Sequence, residues 1–138
     1  LRDNGGSVLG GIAIGLAAIV GFQTWQGRQD AQKLEASKQF ETFLTAQEAG
    51  ESEQAAGLAA SLSANYADTP YPALAALRRS AALIGEDKAE DALAALESAL
   101  PTTKDETLRQ LMLLRAARAE LILGRHDAAL ARLGGVEL

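Results

Sequence analysis

Few side chains in this sequence could carry out catalysis. His126 is the single histidine, and a lone histidine at a predicted helix turn is more typical of packing or capping than of proton transfer. There is no cysteine, which excludes thiol catalysis, disulfides and zinc–thiolate sites in this sequence. We therefore predict no catalytic residues, no cofactor and no enzyme activity.

An acidic group near the middle of the chain resembles a cation site only in composition. Oxygen-ligand cation sites need a glycine-punctuated loop that converges several carboxylates on one point. Here Glu90 and Asp91 fall in the first turn of a predicted helix, where acidic side chains interact favourably with the helix dipole. We therefore predict no metal at this group, which consists of Glu86, Asp87, Glu90 and Asp91.

Four arginines are candidates for binding a partner protein, because a guanidinium can hold a carboxylate through two hydrogen bonds. The alternative is that they form a solvated face with local ion pairs. The formal net charge is −5 and the basic residues are scattered, so the sequence lacks the basic patch of a nucleic-acid-binding protein. The four are Arg78, Arg79, Arg115 and Arg118.

The amino-terminal segment is uncharged from Gly5 to Trp25, which is 21 residues. At about 1.5 Å per residue, a helix of this length reaches roughly 31 Å, close to the thickness of the bilayer hydrocarbon. Its large apolar side chains point in all directions, unlike those of a core helix. A cleaved signal would need a small residue where Trp25 lies. We predict an uncleaved transmembrane anchor over residues 1–27.

The anchor contains small residues four positions apart, a spacing that lets two membrane helices approach closely. We predict that these small residues pack against another membrane helix, in a partner or in a homodimer. The alternative is that glycine and alanine are simply common in such segments. The candidate packing residues are Gly6, Gly10, Gly11 and Gly15.

The rest of the chain, residues 28–138, has helical hydrophobic periodicity throughout and short turns. Aromatic residues make up only 4% of the sequence, while alanine and leucine abound, which favours packed helices over sheet. We predict an all-α fold in which the anchor is followed by antiparallel helix hairpins. The hairpins are expected at about 28–67, 70–101 and 105–138.

A repeat of 37 residues relates the three hairpins. It superimposes three turn positions and, five residues later, three alanines that let the second helix of each hairpin lie close to the first. One hairpin cannot bury its own apolar face, so stacked hairpins share a continuous core. The turn positions are Gly50, Asp87 and Gly124, and the alanines are Ala55, Ala92 and Ala129.

These turns resemble those of the tetratricopeptide repeat. In "AELILGRHDAALARL", Gly124, Ala129 and Leu133 match the repeat's glycine, alanine and following apolar residue. The segment "GEDKAEDALAALESALP" is similar, with Asp87 in place of the turn glycine. The resemblance implies a tetratricopeptide-like α-solenoid. In such arrays the first helix of each hairpin, where the four arginines lie, tends to line a concave binding face.

The order of parts resembles the ancillary SecYEG translocon subunit family. The stretches that carry this resemblance are "GFQTWQGRQDAQ", "YPALAALRRSAALI" and "KDETLRQLMLLRAARAELILGRHDAALARL". It implies a single-pass protein of the bacterial inner membrane, with a periplasmic helical domain that associates with the SecYEG channel and a membrane-anchored parvulin-type chaperone. It also implies that this sequence is a piece of a longer chain.

Two expectations from the residues remain open beside that resemblance. Arg28, Lys33 and Lys38 follow the anchor while only Arg2 precedes it, which by the positive-inside tendency favours a cytoplasmic domain. Large domains translocate largely regardless of that bias, so we follow the family and expect a periplasmic domain. The alternatives in function are another anchored repeat protein, which assists cytochrome or outer-membrane assembly, or a homodimeric structural protein.

The last hairpin lacks the polar terminal helix that normally closes a repeat array. Its final apolar positions have nothing after them in the sequence to cover them. We therefore predict that this hairpin is poorly protected unless more chain or another molecule lies over it. The positions are Leu130, Leu133 and Val136.

Overall fold

The computed structural model describes residues 4–136. Within that range the chain forms six α-helices and one short 3₁₀ turn, with no β-strand, so the predicted all-α fold class is confirmed. The 3₁₀ turn contains Pro101, which cannot continue the preceding helix. The helices are α1 Asn4–Glu48, α2 Ser52–Asn65, α3 Tyr71–Gly85, α4 Ala89–Ala99, α5 Glu106–Ile122 and α6 His126–Leu133.

Helix α1 contains both the apolar segment and the first helix of the first hairpin. It runs without a break, because neither proline nor a turn signal lies between the two parts. By its contacts the chain nevertheless divides into two units, and the division lies between Glu35 and Ala36. The anchor was predicted over residues 1–27, of which residues 1–3 lie outside the described range, and this boundary stays a prediction.

The three hairpin turns have the same backbone conformation at intervals of 37 residues. Gly50, Asp87 and Gly124 have φ angles of 73°, 60° and 76°, in the left-handed region. This is the Schellman ending of a helix, in which the residue after the left-handed one donates its N–H back to the last helical turn. These hydrogen bonds run from the main-chain N–H to a main-chain oxygen: Glu51 to Ala46 (2.9 Å), Lys88 to Leu83 (2.8 Å) and Arg125 to Glu120 (2.8 Å).

Asp87 alone among these three positions carries a side chain in the left-handed conformation, which is unfavourable for residues other than glycine. We expect Asp87→Gly to raise the free energy of unfolding by about 0.5–1 kcal/mol. Gly124→Ala, the matched change in the opposite direction, should lower it by about 1–2 kcal/mol. Denaturant unfolding followed by circular dichroism measures both. If both substitutions changed the free energy of unfolding by the same amount and in the same direction, the left-handed conformation would not be the cause of their effects.

The core of the hairpin domain lies along α3, which contributes to two apolar clusters. One cluster joins α1, α2 and α3 around the fully buried Phe43 and Leu62. The other joins α3, α4 and α5 around Leu96 and Met112. The three predicted close-contact alanines, Ala55, Ala92 and Ala129, are all buried. Small residues at these positions allow the paired helices to approach closely.

The same repeat positions are buried in the second hairpin and exposed in the third. Leu77, Leu93 and Leu96 of the second hairpin have exposed fractions of 5% or less. Their counterparts 37 residues later, Leu114, Leu130 and Leu133, have exposed fractions of 44%, 66% and 40%. The difference arises because α5 covers the second hairpin, whereas no described helix covers the third. Leu130 and Leu133 are exposed and Val136 is half-buried, while the poor protection predicted for this hairpin stays a prediction.

Candidate membrane anchor and protein-binding surfaces

The apolar part of α1 buries none of its side chains in the chain. Its large apolar residues have exposed fractions of 55–73% and occupy every side of the helix. Among the described residues, this is the one helix long and apolar enough to cross a membrane. Removing nine such side chains from water is worth on the order of 10–25 kcal/mol, so an apolar medium is strongly favoured. They are Val8, Leu9, Ile12, Ile14, Leu16, Ile19, Val20, Phe22 and Trp25.

The four candidate packing glycines lie in this exposed stretch. A Cβ atom built on Gly6, Gly10, Gly11 or Gly15 would meet nothing within 4 Å. Contacts among the described residues therefore give no reason for glycine at these positions. Close approach of a second helix would give one, and this role stays a prediction.

The four candidate arginines do not have equivalent surroundings. Arg115 is half-buried and donates from Nη1 to the main-chain oxygen of Leu77 at 2.7 Å, so it ties α5 to α3. Arg78 and Arg118 are exposed, while Arg79 is half-buried. In the described part of the chain, none of these last three lies within 4.0 Å of a carboxylate oxygen in an ion pair. Their binding role remains a prediction.

Arg79 lines a groove of about 410 Å³ between α2, α3 and α4. The groove wall consists largely of alanine from α2 and α4, because both helices present small side chains on this side. Sequence reasoning did not identify the groove, since the pattern of one helix does not show which small residues of two others face it. Its lining residues are Ala56, Ala59, Ala60, Ser63, Ala64, Pro72, Ala76, Arg79, Ala95, Ser98, Ala99 and Thr102.

Two ion pairs join the second and third hairpins, and the sequence analysis did not predict them. The Nη2 atom of Arg125 lies 2.8 Å from Oε2 of Glu90, and the guanidinium of Arg132 forms an ion pair with the carboxylate of Glu97. The two acids are seven residues apart on α4. The two arginines are also seven residues apart, one immediately before α6 and one within it, so the pairs repeat along one seam. Opposite charges at this shared spacing on successive second helices were the signal that could have revealed them.

Arg132 also holds a buried carboxylate. Its Nε donates to Glu120 Oε1 at 2.6 Å, and Glu120 has an exposed fraction of only 4%. Burial by itself lowers the pKa of the Arg132 guanidinium, but the hydrogen bonds to Glu120 and Glu97 outweigh it and hold this pKa above its usual value. Arg132 is therefore charged at any working pH. It neutralises a carboxylate that would otherwise be buried without a partner.

Comparison with known proteins agrees with this architecture. The family model described as a tetratricopeptide repeat-like domain matches residues 1–137. The ancillary SecYEG translocon subunit of Escherichia coli (strain K12) is 30% identical over 135 residues, which cover 98% of this chain and 65% of the relative. The protein of the same name from Haemophilus influenzae is 27% identical over 136 residues, 99% of this chain and 66% of the relative.

The chain thus spans just under two thirds of the length of these curated relatives. No solved structure is significantly similar to it. The predicted resemblance to ancillary translocon subunits and to tetratricopeptide-like repeats is confirmed by these matches, which extend through both the apolar segment and the helix hairpins. The chain belongs to the tetratricopeptide repeat-like domain family.

Proposed function

We propose that this chain is a membrane-anchored, non-catalytic scaffold that binds proteins of the bacterial Sec translocon in the inner membrane. The observation that carries the proposal is the similarity over 98% of the chain to a protein named an ancillary SecYEG translocon subunit. That similarity includes the apolar segment as well as the hairpins. The exposed side chains of residues 8–25 further support an anchor in lipid.

The finer part of the proposal concerns the side of the membrane and the partner. We place the hairpin domain in the periplasm, where it binds a membrane-anchored parvulin-type chaperone. Stacked helix hairpins support such a role because they present extended surfaces to other proteins. Arg78 and Arg118 are the arginines most available for this, because they are exposed and Arg115 is already bonded within the domain.

The anchor also has an energetic role in this proposal. Confinement to one membrane raises the effective concentration of two partners, so that contacts too weak for free proteins suffice. The pair Gly6 and Gly10, or the pair Gly11 and Gly15 on another side of the helix, leaves room for one such contact within the membrane. The hairpin surface offers a second, and two linked contacts bind more tightly than either alone.

The experiment uses the absence of cysteine from the sequence. Single cysteines replace Arg78, Arg118 or Ala94, of which Ala94 is an exposed position on α4. Each cysteine is labelled with a membrane-impermeant, thiol-reactive photo-crosslinker in cells with a permeabilised outer membrane. We expect labelling at all three positions, because the domain is periplasmic. After illumination, Arg78 and Arg118 should capture Sec subunits or the chaperone, with Ala94 as the control.

The labelling step and the crosslinking step each have an outcome that would contradict a different part of the proposal. Labelling only after the inner membrane is disrupted would show a cytoplasmic domain and refute the periplasmic placement. A photo-reactive residue is also placed at Ile19 in the anchor. If this residue and all three cysteine positions capture only lipid and the chain itself, the scaffold proposal is refuted.

A further inference from the structure

We propose that the groove between α2, α3 and α4 binds a short acidic segment of a partner protein, whose carboxylate pairs with Arg79. The groove, here named the alanine groove, is the cavity of about 410 Å³ described above. Helix α3 forms its floor, and α2 and α4 form its walls. The inference rests on the proposed scaffold function and adds to it the surface used and the chemistry of the partner.

The alanine groove is apolar except for one cation. Its floor consists of the buried Pro72 and Ala76, which lie about one helical turn apart on α3. The hydroxyls of Ser98 and Thr102 in its wall already donate to main-chain oxygens of their own turns, at 2.9 and 3.2 Å. Arg79 is the one charged residue among the residues that line the groove. The lining therefore favours an apolar ligand that carries a single negative charge.

Arg79 lacks a carboxylate partner. It is half-buried, and it forms no ion pair with any carboxylate of residues 4–136. A guanidinium that is partly removed from water attracts a carboxylate more strongly than an exposed one does, because less solvent screens the pair. Its planar fork can hold both carboxylate oxygens at once. The groove thus supplies the cation and the apolar walls of an acidic-peptide site.

An equivalent groove one repeat later contains its own anions. It lies between α4 and α6, over α5, where Arg132 forms ion pairs with Glu97 of α4 and Glu120 of α5. The positions of Glu97 and Arg132 in the 37-residue repeat correspond to Ala60 and Ala95 in the walls of the alanine groove. The two long side chains that close the later groove are therefore absent from the alanine groove, which stays open.

The later groove also indicates that the repeat places no further helix of this chain in the alanine groove. Among the described helices, none lies between α4 and α6, because side chains of these two helices meet across the gap. Helix α3 already packs against α1 and α2 in one apolar cluster and against α4 and α5 in the other. Both of its neighbours in the array are therefore present, and we expect the carboxylate for Arg79 to come from another molecule.

The size of the alanine groove limits what can bind in it. Its volume of about 410 Å³ lies near the lower end of the range for ligand sites, about 300–1,000 Å³. It can therefore take a few side chains but not a whole helix. Arg79 lies in the second half of α3 and Pro72 in its first turn, so the charge is near one end of the groove. The partner segment should carry an aspartate or glutamate with apolar residues on one side of it.

The test selects binders from a phage-displayed library of random dodecapeptides on the full chain in lipid nanodiscs. Peptides that also bind a variant with a closed groove are removed. That variant, Ala60→Glu with Ala95→Arg, copies the pair of Glu97 and Arg132 into the alanine groove, at one exposed and one half-buried position. We expect the remaining peptides to share an acidic residue next to apolar residues, a composition that the subtraction does not impose.

The affinity of these peptides should fall at least tenfold with Arg79→Gln, which removes the charge. Arg78→Gln is the matched control, because Arg78 is the adjacent arginine, is exposed and does not line the groove, so it should leave the affinity unchanged. Replacing the acidic residue of the peptide with its amide should weaken binding as much as Arg79→Gln does. Both changes together should cost little more than either alone, as expected for two groups that act as a pair. Circular dichroism checks that each variant is folded.

Three results would overturn the inference: no peptide remains after subtraction, the remaining peptides lack an acidic residue, or Arg78→Gln and Arg79→Gln weaken binding equally. A photo-crosslinker on a cysteine in place of Ala60 gives a second readout in cell membranes, where it should capture a segment of another protein. Capture of the same polypeptide alone would also overturn the inference and assign the groove to this chain. If the crosslinks from positions 78 and 118 to Sec proteins persist in any of these cases, the scaffold function stands and only the groove assignment fails.

Discussion

Replacing both Ile12 and Leu16 with arginine should release the chain from the membrane. Both residues lie near the centre of the uncharged stretch and are exposed within the chain. One arginine at the centre of a spanning helix costs about 2.5–3.5 kcal/mol of insertion free energy, so two cost roughly 5–7 kcal/mol. That is enough to change the inserted fraction by more than a thousandfold. Alkaline carbonate extraction followed by density flotation measures the fraction that remains in the bilayer.

The matched control adds the same two charges beyond the end of the apolar stretch. Gln26→Arg with Gln29→Arg places both guanidinium groups near Trp25, at the level expected for lipid headgroups, where long basic side chains are well tolerated. This control variant should stay in the bilayer fraction. If the Ile12→Arg, Leu16→Arg variant also stays in the bilayer fraction, contacts between α1 and the hydrocarbon do not hold the chain in the membrane, and the predicted anchor is wrong.

The hairpin architecture could be predicted because it depends on local rules that repeat. A helix that ends in a left-handed residue requires glycine or a tolerated substitute, and the turn positions Gly50, Asp87 and Gly124 recur every 37 residues. Asp87 is informative because a single non-glycine residue would not by itself mark such a turn. The register identified it, and its φ of 60° agrees with that assignment.

The surfaces were harder to predict because each is built by side chains from several helices. Periodicity shows which side of one helix is apolar, but it does not show that Arg115 bonds to α3 while Arg79 lines a groove on α2 and α4. The charged seam between α4 and α6 was missed for the same reason. Glu120 illustrates the limit most clearly, since a glutamate in an amphipathic helix is ordinarily assigned to solvent, yet it is buried.

The stability of the third hairpin should depend strongly on Arg132. In Arg132→Ala, the carboxylate of Glu120 would lose its 2.6 Å hydrogen bond and remain buried without a countercharge. Removing one partner of a buried ion pair typically costs about 3–5 kcal/mol. We expect a decrease of this size in the free energy of unfolding, measured by denaturant titration. Glu97→Gln, which alters only the exposed partner of Arg132, should cost less than about 1 kcal/mol.

The repeat itself supplies the compensating variant. In the second hairpin the positions of Glu120 and Arg132 are occupied by Leu83 and Ala95, and Leu83 is buried. Because apolar replacement of a buried ion pair is often neutral or stabilising, Glu120→Leu combined with Arg132→Ala should recover most of the stability lost by Arg132→Ala alone. If the double variant is no more stable than Arg132→Ala, the loss comes from the packing and the Glu97 contact of the arginine. The buried charge of Glu120 would then not be its cause.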